Sequence, residues 1–175
     1  MNKFILIISL LFGLNANAGL ISIELSDNQV NVGESITVNL MASDFNAFDT
    51  FDLDFNFNHN IFDYQEGSLT SDLTSVLPLV FETSENANGL AISFLDFAAF
   101  STPNFLLASF EITATTEGED SFSLSNVSFS DFFTPLTVDS SAQSAALVTA
   151  SIPEPSTWLL FFSALLLVAR ANRSV

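Results

Sequence analysis

The chain of 175 residues carries 20 acidic residues against 3 Lys and Arg residues, and it contains no cysteine. Without cysteine the protein has no disulfide and no thiolate for catalysis or for binding a metal. No Lys or Arg stands between residues 19 and 152. A region without basic groups cannot neutralise phosphates, so nucleic acid is excluded as its partner.

The first 18 residues are typical of a secretory signal peptide. Lys3 gives a positive start, residues 4–14 are an almost continuous apolar run, and Ala16 and Ala18 are small residues where signal peptidase reads the chain. The apolar run is short for a membrane span. We therefore predict cleavage after Ala18, with a retained N-terminal anchor as the alternative.

Residues 19–138 are predicted to form one all-β domain. Apolar and polar residues alternate in segment after segment, beginning at residues 21–25, and turn sequences separate the segments. This alternation predicts antiparallel strands with one buried and one wet face, and hence an antiparallel β-sandwich or jelly roll of about nine strands. Asn88-Gly89 predicts a hairpin. A slip in the alternation near Ser125-Asn126 predicts a β-bulge or a bend of the strand.

The clearest alternation is FDLDFNFN at residues 51–58. Large apolar residues occupy its odd positions, and the even positions are Asp52, Asp54, Asn56 and Asn58. In a strand these four side chains project to one side, with successive neighbours about 6.6 to 6.8 Å apart. The ordinary interpretation of such a row is a solvated strand face. A face that binds a ligand or a cation is the alternative.

No cofactor is predicted to be required, and calcium is the one ion that the sequence suggests. The region without Lys and Arg carries 19 of the 20 acidic residues, so divalent cations would suit its field. Asp52, Asp54 and Asp63 have part of the spacing of a calcium loop, but Phe57 stands where that loop needs Gly. A looser calcium site within residues 44–63 is one interpretation, and charge that keeps a Phe-rich protein soluble is the other.

The sequence predicts that the protein is not an enzyme. His59 is the only histidine. Because a single histidine makes a poor transition-metal site, we expect His59 to be a turn residue. No nucleophile-elbow pattern accompanies it. Residues 19–152 contain no Arg, Lys or Trp to shape a substrate cleft. Glycosidase chemistry by two carboxylates is the one enzymatic alternative that composition leaves open.

The last segments are a predicted linker and a predicted sorting tail. Residues 139–151 are rich in Ser, Ala and Thr, which is typical of a linker. Val138 and Leu147-Val148 nevertheless suggest late edge strands. The tail at 152–175 consists of the motif Pro153, Glu154, Pro155, Ser156 and Thr157, an apolar stretch at about 157–169, and the flanking Arg170 and Arg173. As a helix the stretch reaches about 20 Å, against a hydrocarbon core of about 30 Å, so it would be a short span. The arginines would hold its end on the cytoplasmic side.

The tail resembles the PEP-CTERM sorting signal. The resemblance lies in the Pro153-Glu154-Pro155 motif, the short apolar helix and the basic end. In that family a membrane-embedded exosortase recognises the motif and cleaves near it, in Gram-negative bacteria that make extracellular polysaccharide. The resemblance implies secretion across the inner membrane and transient anchoring by the helix. The mature protein would then reside in the cell envelope, on the cell surface or outside the cell.

The domain resembles the cohesin-like domains often found upstream of this signal. The resemblance is carried by VNVGESITVNL at 30–40, FDTFDLDFNFNHNIFDY at 48–64 and LLASFEITATTEGEDSFSLSNVSFSD at 106–131. It implies a nine-stranded jelly roll related to carbohydrate-binding modules. The dockerin partner of true cohesins is not carried over to this chain.

Together these features predict an exported, non-enzymatic surface or matrix protein that contacts extracellular polysaccharide. One alternative is a carbohydrate-binding module acting in polysaccharide degradation. The other is a protein–protein interaction module of cohesin type. A saturable, sugar-specific affinity would favour the first alternative, and a stoichiometric protein partner would favour the second.

Overall fold

The computed structural model describes residues 18–75 and 78–149. The predicted signal peptide up to residue 17 and the predicted sorting tail at 152–175 lie outside the described residues. Within the described ranges, no helix is long and apolar enough to cross a membrane. The predicted membrane helix at 157–169 is not among them and stays a prediction.

The described residues form strands and one short 3-10 helix. In chain order they are β1 (Gly19–Leu25), β2 (Gln29–Asn31), β3 (Ser35–Ser43), β4 (Phe48–Asn56), β5 (Phe62–Tyr64), the 3-10 helix (Asp72–Ser75), β6 (Val80–Asn86), β7 (Gly89–Phe100), β8 (Phe105–Ala114), β9 (Gly118–Asp131), β10 (Thr134–Pro135), β11 (Val138–Asp139) and β12 (Gln143–Thr149). Four of these strands have only two or three residues. The eight longer strands agree with the prediction of about nine.

The strands form two sheets, which confirms the predicted β-sandwich. One sheet has five strands in the order β11-β1-β3-β8-β5. The other has seven strands, in the order β2-β12-β9-β4-β7-β6 with β10 beside β9. Neighbours pair antiparallel except β1 with β11 and β2 with β12, which are parallel. β4 therefore lies in the interior of the seven-stranded sheet, between β9 and β7.

Phenylalanine rings fill the space around β4. Phe51 and Phe55 are fully buried because the alternation of the strand turns both toward the opposite sheet. Phe48 is out of phase with them and is also fully buried, because the pairing of β4 with β7 shifts between Phe48 and Thr50. The Phe51 ring stacks on Phe129 and Phe94, with ring centroids 5.0 and 5.6 Å away. Such pairs add about 0.5–1.5 kcal/mol each to the burial of their area. This core explains how the domain holds together without disulfides.

Both local irregularities predicted from the sequence are confirmed. The pairing of β4 with β9 shifts between Asp52 and Asp54, and Asn126 opposite this shift has a left-handed φ of 51°. This is the β-bulge. The hairpin near Asn88 joins β6 to β7, and Gly89 begins β7. A Cβ on Gly89 would lie 2.1 Å from the backbone oxygen of Phe55, so only glycine fits.

The predicted linker at 139–151 is wrong over most of its length. β12 spans Gln143–Thr149 and pairs with β9 and β2. Its inward residues Ala146 and Val148 are buried. The predicted late strand at Leu147-Val148 lies within β12, but the small residues that precede it have the composition of a linker. The domain therefore extends to Thr149 instead of ending at residue 138.

Candidate binding face

The polar side of β4 lies at the centre of an open sheet face. Phe51, Leu53 and Phe55 point into the core, so Asp52, Asp54 and Asn56 point outward. Their cross-strand neighbours on β7 and β9 are mostly serines. We call this surface the outer polar face, and its residues are Asp52, Asp54, Asn56, Ser93, Ser123, Ser125 and Ser128.

Neutral donors hold the two carboxylates of the outer polar face. Ser93 Oγ donates to Asp52 Oδ1 at 2.7 Å. Asn86 Nδ2 donates to Asp54 Oδ1 at 3.2 Å, and Asn126 Nδ2 donates to Asp54 Oδ2. The bulge thus serves the face, because its left-handed residue brings an amide to Asp54. Charge-assisted hydrogen bonds of this kind replace the salt bridges that a region without Lys and Arg cannot form.

Hydrogen bonds to neighbouring serines also hold Asn56. Its amide nitrogen donates to Ser125 Oγ at 3.0 Å and to Ser123 Oγ at 3.3 Å, and the Ser125 hydroxyl donates back to Asn56 Oδ1 at 3.2 Å. The central row of the face is therefore ordered before any ligand arrives. Ordered polar groups lose less conformational entropy on binding than free ones.

Asn58 does not belong to this row, contrary to the prediction for residues 51–58. β4 ends at Asn56, and Asn58 opens the turn that follows. Its Oδ1 accepts the backbone N–H of Asn60 at 3.0 Å, and its own N–H donates to Asp120 Oδ2 at 2.7 Å. This side chain is engaged in turn geometry, a role that alternation in the sequence does not reveal.

The calcium ligand set of Asp52, Asp54 and Asp63 is not assembled. Asp63 lies on β5, where it pairs with Thr113 of β8 in the five-stranded sheet. Asp52 and Asp54 face outward from the other sheet. Among the described residues, no group of three His, Cys, Asp or Glu side chains is placed to hold a metal.

A polar cleft adjoins the face at the end of β4. It encloses about 630 Å³ and is lined mainly by amide, hydroxyl and carboxylate groups, including Asn58, Asn60, Asn88 and Asp120. His59 lies in the turn at its wall, as predicted, and its Nε2 is 2.8 Å from the carbonyl oxygen of Asn86. Sugars present hydroxyl groups that such side chains can bind.

The ionisable groups of the described residues are otherwise almost unpaired with cations. His59 Nδ1 lies 3.9 Å from Glu85 Oε2, the one ion pair within the described ranges. The backbone N–H of Ser141 donates to Asp139 at 3.0 Å. This bond, followed by the Ser141 side chain, lowers the pKa of Asp139. Asp139 lies on β11 in the five-stranded sheet, away from the outer polar face.

No family model and no curated protein matches the chain in sequence. Solved structures match it in fold. The cohesin module from the family 33 glycoside hydrolase of Clostridium perfringens is 16% identical, with a TM-score of 0.64 over 77% of this chain and 98% of that one. The non-cellulosomal cohesin from Archaeoglobus fulgidus is 13% identical, with a TM-score of 0.61 over 75% and 93%. A type I cohesin–dockerin complex from Clostridium thermocellum gives 10% identity and a TM-score of 0.58, over 75% and 95%.

The domain is a cohesin-like β-sandwich. Identities this low establish the fold and leave the partner open. The predicted resemblance of residues 30–131 to cohesin-like domains is confirmed at the level of the fold.

The cohesin-like domain has an apolar feature that the sequence interpretation missed. Phe97, Phe132 and Phe133 are 79%, 63% and 98% exposed, although most of the phenylalanines between 45 and 133 are buried in the core. Together with Leu95 they line a depression of 460 Å³ at the other end of the seven-stranded sheet. We call it the phenylalanine pocket, and its remaining lining residues are Asp49, Thr50, Asp96 and Ser130.

The rim of the phenylalanine pocket is a strained hairpin. Thr134 pairs with Asp131, so Phe132 and Phe133 form the two-residue turn between β9 and β10. Their φ angles are 44° and 69°, a left-handed conformation in which Asn and Gly are the favoured turn residues. The sequence does contain a signal for this feature, because two adjacent phenylalanines stand between two strands at positions where Asn or Gly is expected.

Two carboxylates beside this hairpin are incompletely satisfied. Asp49 is only 8% exposed. Its Oδ2 accepts the backbone N–H of Phe132 at 3.1 Å, whereas its Oδ1 has no hydrogen-bond partner. Asp131 also has a buried Oδ1 without a partner. The pair Thr50 and Ser130 ends the β4–β9 ladder. Asp49, which precedes Thr50, and Asp131, which succeeds Ser130, therefore both lie just beyond this end of the ladder.

Proposed function

We propose that the protein is an exported, non-catalytic interaction module that binds another protein through the seven-stranded sheet. The observation that carries this proposal is the outer polar face, an ordered row of Asp52, Asp54 and Asn56 on the open side of central strand β4. Their hydrogen bonds to neighbouring side chains fix the row, as expected of a surface prepared for a specific partner.

The composition of the face favours a protein over a stacked sugar as the main partner. Carbohydrate recognition by a sheet face ordinarily uses an aromatic ring, most often Trp or Tyr. The domain has no Trp, and its only tyrosine, Tyr64, lies on β5 in the five-stranded sheet with its hydroxyl 3.3 Å from Thr83 Oγ1. The Clostridium thermocellum neighbour was solved as a cohesin–dockerin complex, which supports protein binding as a use of this fold.

Delivery to the outside of the cell is part of this proposal, and the predicted signal peptide and the predicted sorting tail support it. The predicted signal peptide at 1–18 would export the domain. The predicted sorting tail, with Pro153, Glu154 and Pro155 as its motif, would be held in the membrane by its apolar helix until an exosortase acts on it. Arg170 and Arg173 would fix the orientation of that helix. The module would then act at the cell surface or in the extracellular matrix.

The protein-binding proposal is tested by site-specific photo-crosslinking in cells that secrete the full chain. A benzophenone amino acid replaces Ser93 on the outer polar face, and the matched control places it at Thr37, on the polar side of β3 in the five-stranded sheet. We expect a discrete protein adduct from position 93 alone. An Asp52→Ala/Asp54→Ala variant should reduce its yield at least tenfold. Equal adducts from both positions, or none from position 93, would overturn the proposal.

Contact with extracellular polysaccharide is the second candidate function, and the polar cleft favours it. The amides of Asn58, Asn60 and Asn88 and the Asp120 carboxylate line one open depression beside the outer polar face. Co-sedimentation of the full chain with the polysaccharide of the producing cells, in calcium and in chelator, tests this candidate. Asn60 and Ser121 both line the cleft, and binding that an Asn60→Ala/Ser121→Ala variant abolishes would support this candidate. Binding lost only in chelator and in Asp52→Ala/Asp54→Ala would instead assign a calcium-dependent role to the face.

A further inference from the structure

The phenylalanine pocket combines two features that are unfavourable for an isolated domain. Its rim presents Phe132 and Phe133 to solvent from a left-handed turn, with exposures of 63% and 98%. Aromatic residues at such positions contribute little burial and hold the backbone in a conformation that disfavours them. Strained, exposed aromatic tips of this kind are typical of binding surfaces.

The carboxylates that line the phenylalanine pocket indicate the kind of ligand that it binds. Asp49 lines the pocket, is more than nine-tenths buried, and has one oxygen without a partner. Asp96 lines the same pocket, and its Oδ1 accepts the backbone N–H groups of Phe97 and Ala98. A buried carboxylate without a counter-charge is unfavourable. The pocket is thus complementary to a cation.

The cation must come from outside the domain. Residues 19–152 contain neither Lys nor Arg, so the same region of a second copy cannot supply it. A metal ion fits poorly, because the described residues provide no three-ligand group here and three of the lining residues are phenylalanines. A guanidinium group suits both parts of the pocket, since it can pair with carboxylates and lie against aromatic rings.

We propose that the phenylalanine pocket binds an arginine side chain of the protein partner, pairing its guanidinium with Asp49 and Asp96 and covering it with Phe97 and Phe133. The proposal rests on the protein-binding function proposed above. It names the partner's chemistry: an arginine flanked by apolar residues, on an exposed loop or at a chain terminus. Asp131, with its own unpartnered oxygen next to Asp49, adds to the negative potential behind the pocket.

The test uses a phage library of random 12-residue peptides, selected on immobilised full chain in non-ionic detergent. We expect the selected peptides to share an arginine beside apolar residues. The best peptide is then synthesised with arginine, lysine or citrulline at that position. Citrulline keeps the shape and removes the charge, and it should weaken binding at least tenfold in a fluorescence-anisotropy titration.

Variants of the chain assign the binding to the pocket. Asp49→Asn and Phe133→Ser should each weaken the arginine peptide about tenfold or more. Phe133 is 98% exposed, so its replacement leaves the fold intact even where Asp49→Asn does not. Leu147→Ser is the matched control, because Leu147 is also exposed, at 43%, but lies opposite Glu119 at the far end of β9. It should bind the peptide with unchanged affinity.

Several results would overturn the inference. These are selected peptides without arginine, no selected peptide at all, equal affinity for the citrulline peptide, or unchanged affinity in Phe133→Ser. Flotation with neutral phosphatidylcholine vesicles tests membrane insertion instead. Vesicle binding lost in Phe133→Ser but kept in Asp49→Asn would assign the hairpin to a lipid surface. A crosslinked partner at position 93 that binds Phe133→Ser normally would leave the proposed function standing and remove only the arginine site.

Discussion

Replacing Phe133 by glycine should stabilise the domain while it removes the proposed arginine site. Phe133 holds a φ of 69° and is 98% exposed. Relief of the left-handed strain is worth about 1–2 kcal/mol. The added freedom of glycine in the unfolded chain costs about 0.5–1 kcal/mol. Because so little of the ring is buried, the net gain is about 0.5–1 kcal/mol, which corresponds to roughly 1–4 °C in Tm.

Urea denaturation of the full chain, followed by circular dichroism, measures this change, and the arginine peptide is titrated in parallel. Leu147→Gly is the control. Leu147 lies in extended β12 and is 43% exposed, so glycine there should destabilise the domain by about 1 kcal/mol. A Phe133→Gly variant less stable than the wild type by more than 1 kcal/mol would refute the reasoning, because the turn would then depend on the phenylalanine ring.

Three further predictions concern the fold. Gly89→Ala should lower the free energy of unfolding by about 3 kcal/mol or more, because its Cβ would lie 2.1 Å from the backbone oxygen of Phe55; an unchanged urea midpoint would contradict this. Phe55→Ala should cost about 3–5 kcal/mol, since the ring is fully buried, whereas Phe97→Ala, at an exposed ring, should change the midpoint little. A chain truncated after residue 138 should lack cooperative unfolding, while one ending at Thr149 should retain it, because β12 completes the sheet beside β9; identical melting curves would refute that boundary.

The features that follow from local alternation were predictable from the sequence. FDLDFNFN determines which residues of β4 point inward and which point outward, because the side-chain period of a strand is two. The slip at Ser125-Asn126 likewise located the bulge of β9. In each case the cause lies within a few residues of its effect.

The features that depend on pairing between distant segments were not predictable in this way. Nothing in the sequence around Asp63 indicates that β5 joins the five-stranded sheet, so the partial calcium-loop spacing of Asp52, Asp54 and Asp63 does not correspond to three neighbouring carboxylates. Only Leu147-Val148 suggested a strand in β12, and the rest was assigned to a linker because Ala146 is too small to mark a buried face. Asn58 occupies an even position, as Asp52, Asp54 and Asn56 do, but it lies outside the row because β4 ends at Asn56.

The phenylalanine pocket shows a different limit of sequence reasoning. Counting aromatic residues between 45 and 133 measures how much apolar surface could be buried, and does not identify which rings stay outside. Phe132 and Phe133 were visible as an adjacent pair. Their exposure follows only from the two-residue turn that Asp131 and Thr134 close.

The hydrogen bonds that neutral Ser and Asn donors make to Asp52 and Asp54 bear on the ionic strength in which the domain is most stable. Salt weakens salt bridges between exposed groups, but the described residues contain only the His59–Glu85 pair, whereas residues 19–152 carry many carboxylates and neither Lys nor Arg. Added salt therefore screens mainly the repulsion among carboxylates, while the bonds from Ser93, Asn86 and Asn126 are unaffected. We therefore expect the free energy of unfolding of the domain to rise with salt concentration, whereas proteins stabilised by surface ion pairs become less stable.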